Sequence, residues 1–400
     1  MSRVLDRAVR PGLVMFALAV GAFAIGTTEF ATMGVLPFFA KDLGIDEPTA
    51  GHAISAYALG VVVGAPIIAV LSARVARRTM LIALMSVFAL GNALSGLSPS
   101  YHAMLGFRFL SGLPHGAYFG LAALTIASLV DPGKRTQSVA RMFLGLTVAT
   151  IIGVPVSNWL AQAVGWRWGF SIVALLGLLT AALVWRFAPR DVPDSNASPL
   201  RELGALASVQ VWLTLITGAI GFGGLFAVYT YLSVTLVEVT HVAQAFVPVV
   251  LAVFGIGMTV GNLIVPPIAD RALMPTAIGL LLVSATAMAL FPAAAHNPWL
   301  VMADVFVIGW GGSLATILQT RLMEVAEDAQ SLAAALNHSA FNTANALGPW
   351  LGGMAIAAGY GWTSIGWVGC ALALGGLPPL LLSVLLERRR RLAVAYAVDS

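Results

Sequence analysis

The sequence predicts an all-α membrane protein: twelve transmembrane helices in two pseudo-symmetric six-helix bundles, with both chain ends in the cytoplasm. Three observations carry this prediction: the composition, the spacing of the apolar runs and the placement of the basic residues. Of 400 residues, 59% are hydrophobic and only 10% charged, against about 25% charged in a soluble domain. With a mean hydropathy of +0.91, soluble enzymes, disordered chains and collagen-like chains are excluded. At roughly 20 residues per crossing, twelve crossings use about 240 residues and leave short loops. Two or three crossings would leave most of the apolar sequence without a role.

The apolar runs mark spans near 12–38, 49–72, 79–99, 102–126, 136–162 and 166–187, then near 209–237, 243–268, 274–294, 298–322, 332–358 and 362–386. Between the two sets, residues 188–202 are polar, carry two Pro–Asp/Arg clusters and show no periodicity. The chain therefore divides into an N-terminal six-helix bundle (1–188), a cytoplasmic linker (189–208) and a C-terminal six-helix bundle (209–400). Arg3, Arg7 and Arg10 before the first run imitate a secretory leader. The run is longer than the 7–15 residues of a signal core and has no tidy cleavage site, so it reads as an uncleaved first span.

Basic residues set the orientation. Arg3, Arg7 and Arg10 precede span 1, Arg74, Arg77 and Arg78 follow span 2, and Lys134, Arg135 and Arg141 lie between spans 4 and 5. Arg186, Arg190 and Arg201 fall around the middle loop, Arg271 follows span 8, Arg321 follows span 10, and arginines 388–391 close the chain. That puts 18 of 21 on one side, with Lys41 and Arg167 on the other and Arg108 inside span 4. Such a bias places both termini in the cytoplasm and requires an even number of spans. The pI near 9.5 therefore reflects topology and anionic lipid headgroups and gives no reason to expect a nucleic-acid partner. The single Cys370 excludes an intrachain disulfide and a cysteine metal cluster.

The halves echo each other. Gly153-Val-Pro155 in span 5 returns as Gly348-Pro349 in span 11, offset by 194 between the prolines. Val164-Gly165-Trp166 returns as Tyr360-Gly361-Trp362, offset by 196, and Ala73-Arg74 as Asp270-Arg271, offset by 197. Parallel repeats of this kind place a substrate cavity at the midplane between bundles. Pro and Gly inside spans 5 and 11 are tolerated where neighbours or a cavity compensate the backbone, so Gly153, Pro155, Gly348 and Pro349 are candidate bending points.

These residues resemble the major facilitator superfamily, and within it the 12-span drug:proton antiporter group, over the whole chain. Residues 69–78, with Arg74, Arg77 and Arg78, look like the family's cytoplasmic gate motif, although its usual Asp is Ala73 and two usual glycines are Ala69 and Ala76. The second-half copy, Ile268-Ala-Asp270-Arg271, keeps the acid. Arg108 through His115-Gly116 resembles the span-4 motif whose Arg the family associates with proton coupling. Gly145 followed by Gly153-Val-Pro155 resembles the span-5 antiporter motif, with a usual Gly replaced near Ser157. Gly26-Thr-Thr-Glu29-Phe30 through Pro37, and Ala50-Gly51-His52 through Pro66, resemble the arabinose/sugar efflux (AraJ-like) and chloramphenicol exporter branch. The resemblance implies efflux of small neutral or amphipathic molecules. It also implies gating by Arg74, Arg77, Arg78, Asp270 and Arg271; with Ala73 in place of the acid, Asp270→Asn is expected to disturb transport more than any change at position 73.

Among the 17 acids only Glu29 and Asp304 sit inside spans. An ionisable side chain in the hydrocarbon costs a few kcal/mol, so it faces a cavity or a partner. Glu29, deep in span 1, is the candidate proton-coupling acid; a purely packing role is the alternative. Asp304 is a weaker candidate, near enough the outer end of span 10 to reach interfacial water. Arg108 must find a counter-charge or carbonyls, as coupling partner or as a helix–helix staple. His115, two turns on, titrates in the range of a proton relay or serves as a satisfied donor. His338, Asn342 and Asn345 in span 11 follow i, i+4, i+7 spacing with Asn337 adjacent, the pattern of a cavity wall or of interhelical hydrogen bonding. Tyr57, Tyr229, Tyr231 and Gln319 are further candidates for substrate contact.

No Walker-type Gly-Lys-Ser/Thr sequence occurs, so the proton gradient rather than ATP is the expected energy source. Nothing predicts a metal, another cofactor or a catalytic nucleophile. The leading expectation is a proton-driven exporter in a bacterial inner membrane, monomeric and working by alternating access, with a small-molecule substrate, protons and membrane lipids as its partners and no nucleic acid. The alternatives are a uniporter or proton symporter that imports a metabolite, a non-transporting ligand receptor and an intramembrane enzyme; the two-fold repeat and the lack of any soluble signalling domain weigh against the receptor.

Overall fold

The computed structural model describes residues 10–45, 47–72, 74–190, 203–243, 246–326 and 329–399, and every regular element among them is helical. Ala73, Arg3, Arg7, Arg201 and most of the predicted linker lie outside these residues.

The first half runs α1 (Pro11–Leu43), α2 (Glu47–Leu71), α3 (Arg77–Gly96), α4 (Tyr101–Gly112), α5 (His115–Ala127), α6 (Arg135–Val148), α7 (Val154–Ala163) and α8 (Arg167–Phe187). The second runs α9 (Val209–Gly221), α10 (Gly223–Glu238), α11 (Val247–Ala269), α12 (Leu273–Ala294), α13 (Pro298–Trp310), α14 (Leu314–Val325), α15 (Gln330–Ala355), α16 (Ser364–Gly375) and α17 (Leu377–Asp399). α1 outruns its predicted span because the first residue to leave the helix is Gly44, at φ +67°, where its amide bonds the carbonyls of Ala40 and Lys41. A left-handed cap of this kind costs a glycine little.

Half of the predicted spans are interrupted helices, and the causes are local. Span 4 divides at Leu113–Pro114, since Pro114 has no N–H to give the preceding turn. Span 5 divides at a π turn, Ala149–Gly153, directly before Pro155. The wider turn absorbs the backbone bond that Pro155 cannot make. Span 7 breaks at Phe222 between glycines, span 10 at a 3₁₀ turn over Gly311–Ser313, and span 12 at Gly376. In span 11 the helix continues through Pro349, and a π turn follows at Ile356–Tyr360.

Eleven stretches among the described residues are long and apolar enough to cross a membrane. α15 has the length, 26 residues with no acid, Lys or Arg, but falls short in hydropathy. Its Asn337, His338, Asn342 and Asn345 are the reason.

Contacts divide the chain into two units: residues 1–204 with 328–339, and residues 205–327 with 340–400. Each carries the same helix contact. In the first unit, a Cβ on Gly60 of α2 would lie 2.3 Å from the carbonyl oxygen of Phe109 on α4, and one on Gly112 would lie 2.2 Å from that of Tyr57. In the second, Gly257 of α11 meets the Phe306 carbonyl at 2.1 Å and Gly309 that of Phe254 at 2.6 Å. All four residues are matched 197 positions apart, so the sequence echo is an echo of backbone approach that only glycine permits.

At one end of the first unit, Val35, Phe39, Met104, Trp166 and Phe170 form an apolar core. Asp42 there pairs with Arg167 and accepts from Trp166 Nε1 at 3.1 Å. Hydrogen bonds from Arg167 and then Trp166 hold the Asp42 carboxyl below its ordinary value. Arg78 donates to the carbonyl of Trp185 in the last turn of α8, as basic residues do at helix C-termini. Arg321, placed by sequence among the loop cations, is instead 5% exposed inside the second unit. It donates to Glu387 at 2.7 Å and to Gln210 at 3.4 Å, and Ser383 donates to the same Gln210 oxygen.

Candidate functional site

The first unit holds a buried cation in a polar and aromatic cradle. Arg108 of α4 is 1% exposed. Its Nη1 donates to Thr28 Oγ1 at 2.9 Å, and Thr28 donates in turn to Asn92 Oδ1 at 2.6 Å. The guanidinium lies 4.4 Å from the Tyr57 ring and 5.4 Å from that of Phe170, while its Nε has no hydrogen-bond partner. Glu29, next to Thr28 on α1, is half-buried. Among the described residues no carboxylate stands within 4 Å of Arg108. A narrow cleft adjoins Thr28, lined also by Thr32, Ser157, Trp166 and Phe170.

Tyr57 links Arg108 to His115. Its hydroxyl and His115 Nδ1 are 2.9 Å apart, so two residues that α4 and α5 place on either side of the Pro114 break share one tyrosine. Beyond it the rings of His115 and His338 stand 5.2 Å apart, and His338 stacks on Phe119 at 4.4 Å, itself stacked on Phe143 at 5.1 Å. Glu29, Arg108, Tyr57, His115 and His338, five of the predicted site residues, therefore fall within one unit.

The remaining proton-coupling and substrate candidates belong to the second unit. Tyr229 packs its ring 4.8 Å from Phe254. Tyr231 donates to the Pro349 carbonyl at 2.9 Å, which ties α10 to α15. Gln319 and Asn342 are buried, and Asn345 is half-buried. Asp304 does not simply face water: its Oδ2 is buried and has no hydrogen-bond partner. The predicted bending glycines are contact points: a Cβ on Gly153 would lie 2.2 Å from Thr27 Oγ1, and one on Gly348 2.1 Å from the Gly223 carbonyl. Of the gate residues, Arg74 is exposed and Arg77 half-buried. Asp270 caps α11, with exposed Arg271 following it.

Sequence reading missed Thr28, Asn92 and Phe170 around Arg108, and the Asn262–Thr316 bond of 3.2 Å between α11 and α14. The signal was present for Asn92 and Asn262, which are amides inside apolar spans. For Phe170 there was none.

Comparison with known proteins bears on these geometries. The family model described as the Major Facilitator Superfamily matches residues 18–303 and 251–396. The chain is 40% identical to Inner membrane transport protein YdhP of Escherichia coli strain K12, over 92% of this chain and 94% of the relative. It is 34% identical to AraJ of the same strain, over 92% and 94%. It is 32% identical to a chloramphenicol resistance protein of Streptomyces lividans, over 84% and 87%. This multi-pass membrane protein is a small-molecule transporter rather than an enzyme, and the chain belongs to the Major Facilitator Superfamily.

Proposed function

We propose that this protein is a proton-coupled exporter that moves small neutral or amphipathic molecules out across the bacterial inner membrane by alternating access. The observation that carries the reading is the placement of Glu29 beside the seat of Arg108: an acid inside the first span directly follows Thr28, which Arg108 bonds, and among the described residues no carboxylate lies at ion-pair distance from that buried cation. An acid so placed can exchange a proton with the outside while its cationic neighbour reports the change to α2 and α5 through Tyr57. Asp304 is a second site for a proton. His338, Asn342, Asn345, Tyr229 and Gln319 are proposed substrate contacts. Efflux, and chloramphenicol as the first substrate to try, are supported by the name of the Streptomyces relative. The proposed topology counts α15 as span 11, which brings the total to twelve, six spans to each half, with both termini in the cytoplasm. The chain works as a monomer in this reading, and Asp270 matters more to gating than position 73.

The test is accumulation of labelled chloramphenicol in pump-deficient cells expressing the protein, with and without a protonophore. Lower accumulation that recovers with protonophore, and is lost in Glu29→Gln, is the expected result. Accumulation unaffected by the protein moves the substrate to sugars or nucleosides, with arabinose efflux tested next. Export by Glu29→Gln that keeps its protonophore sensitivity overturns Glu29 as the coupling acid.

A further inference from the structure

We propose that Thr28 and Asn92 are positioning residues that hold Arg108 away from Glu29, so that protonation of Glu29 and the choice of Arg108's partner are one event. The proposal deepens the coupling reading and rests on it for its meaning in transport.

The chain of hydrogen bonds has only one possible direction. Arginine has no acceptor, so Arg108 Nη1 donates and Thr28 Oγ1 accepts. The single Thr28 proton then goes to Asn92 Oδ1 at 2.6 Å. Asn92 cannot turn its amide to offer a donor instead, because its Nδ2 is engaged with the Phe88 carbonyl at 2.9 Å. Phe88 and Asn92 both belong to α3, which makes that helix the fixed end of the chain. Thr28 is thereby locked as an acceptor aimed at the guanidinium, and the faces of Arg108 are covered by Tyr57 and Phe170.

This is a neutral seat for a cation whose acid stands one residue further along α1. Consecutive helical residues point about 100° apart, so Arg108 can exchange Thr28 for Glu29 by a side-chain movement with α4 in place. A neutral Glu29 leaves Arg108 in its seat; an ionised Glu29 outcompetes a hydroxyl for it, because hydrogen bonds between charged groups are roughly twice as strong. Against this pair α2 brings Tyr57, and α5 brings His115 and Tyr118, whose hydroxyl is engaged with the Leu18 carbonyl. His338 lies behind His115. Arg135 and Arg141 of α6 and Arg186 of α8 carry their charges at the surface, and Arg167 is paired with Asp42.

The experiment is labelling of Glu29 in the purified full-length protein by a hydrophobic carbodiimide, which reacts with protonated carboxyl groups, read by mass spectrometry at one near-neutral pH. Glu29→Gln supplies the background. Thr28→Val keeps the shape and removes the acceptor; Asn92→Leu frees the Thr28 proton to turn on Arg108. In both, Arg108 should move to Glu29 and hold it ionised, and labelling should fall by about tenfold. Thr28→Ser keeps the hydroxyl and should restore wild-type labelling, which a packing role would not do. Unchanged or increased labelling in Thr28→Val and Asn92→Leu overturns the proposal. A fall in labelling together with normal coupled export by Glu29→Gln supports the seat and overturns Glu29 as the coupling acid. Unchanged labelling together with lost export in Glu29→Gln overturns the seat alone. Should Asn92→Leu fail to fold, Asn92→Ser and Thr28→Val carry the same comparison.

Discussion

The ring of Tyr57 lies under the Arg108 guanidinium at 4.4 Å while its hydroxyl meets His115 Nδ1 at 2.9 Å. One side chain therefore performs two separable jobs. Tyr57→Phe should keep the cation–π contact and lose only the bond to His115, while Tyr57→Leu loses both. A desolvated cation–π contact is worth about 2 kcal/mol, so the Leu variant should slow protonophore-sensitive export on the order of tenfold more than the Phe variant. Equal rates in the two variants would show that the ring face does not hold Arg108.

Asp42 predicts a pH dependence of stability. Its carboxyl is held below the ordinary value by Arg167 and Trp166, so the folded state binds its proton less tightly than the unfolded chain. The stabilisation is fully present above the ordinary carboxylate range and is lost as pH falls through the lowered folded value. Both partners are partly exposed, at 43% and 46%, which limits the pair to about 1 kcal/mol or less. Asp42→Asn should therefore melt slightly lower than wild type at pH 7, and the difference should close in acid.

Gly60 and Gly257 should fail alike. A methyl group at either would meet a carbonyl oxygen, at 2.3 or 2.1 Å, and the paired helices would have to part. Overpacking of this kind costs about 1–3 kcal/mol. Thermal unfolding of Gly60→Ala and Gly257→Ala in detergent should show comparable losses, and a neutral Gly257→Ala would deny that the two halves share the contact.

Arg321 and Glu387 should show coupling rather than addition. Removing Arg321 alone leaves Glu387, 27% exposed, beside Gln210 without its cation. Breaking one partner of such a buried pair is more costly than replacing both by apolar groups. Arg321→Leu should destabilise strongly, and the double variant with Glu387→Leu should recover much of the loss, as a double-mutant cycle in unfolding temperature would record.

The fold was legible because lipid leaves few options: apolar runs of the right length must be helices. Where each helix breaks was less legible. Pro155 stood out as a bending point, but the Pro114 break lies inside what the apolar pattern shows as one span, and the break at Phe222 depends on glycines packing against other helices, a tertiary fact. The same divide applies to the site. Glu29 and Arg108 stand out as charges where charges are costly, and Tyr57 and His115 as polar groups in apolar runs. That Thr28 accepts and Asn92 receives its proton depends on which residues of α1, α3 and α4 face one another. No spacing along a single helix reveals that. Arg321 was misplaced for a related reason, since its ion-pair partner Glu387 lies 66 residues away.

The deficit of hydropathy in α15 also bears on how the chain is made. A helix carrying Asn337, His338, Asn342 and Asn345 gains little by leaving the insertion machinery for bare lipid, because each amide or imidazole must bring its hydrogen-bonding needs into hydrocarbon. On the proposed topology such a segment would enter the bilayer by docking onto helices already there. Its Ala334 and Ala335 backbone lies against Gly120 of α5, a surface synthesised more than 200 residues earlier. On the proposed topology, the composition of this one helix implies an order of assembly in which the early spans precede the late polar one.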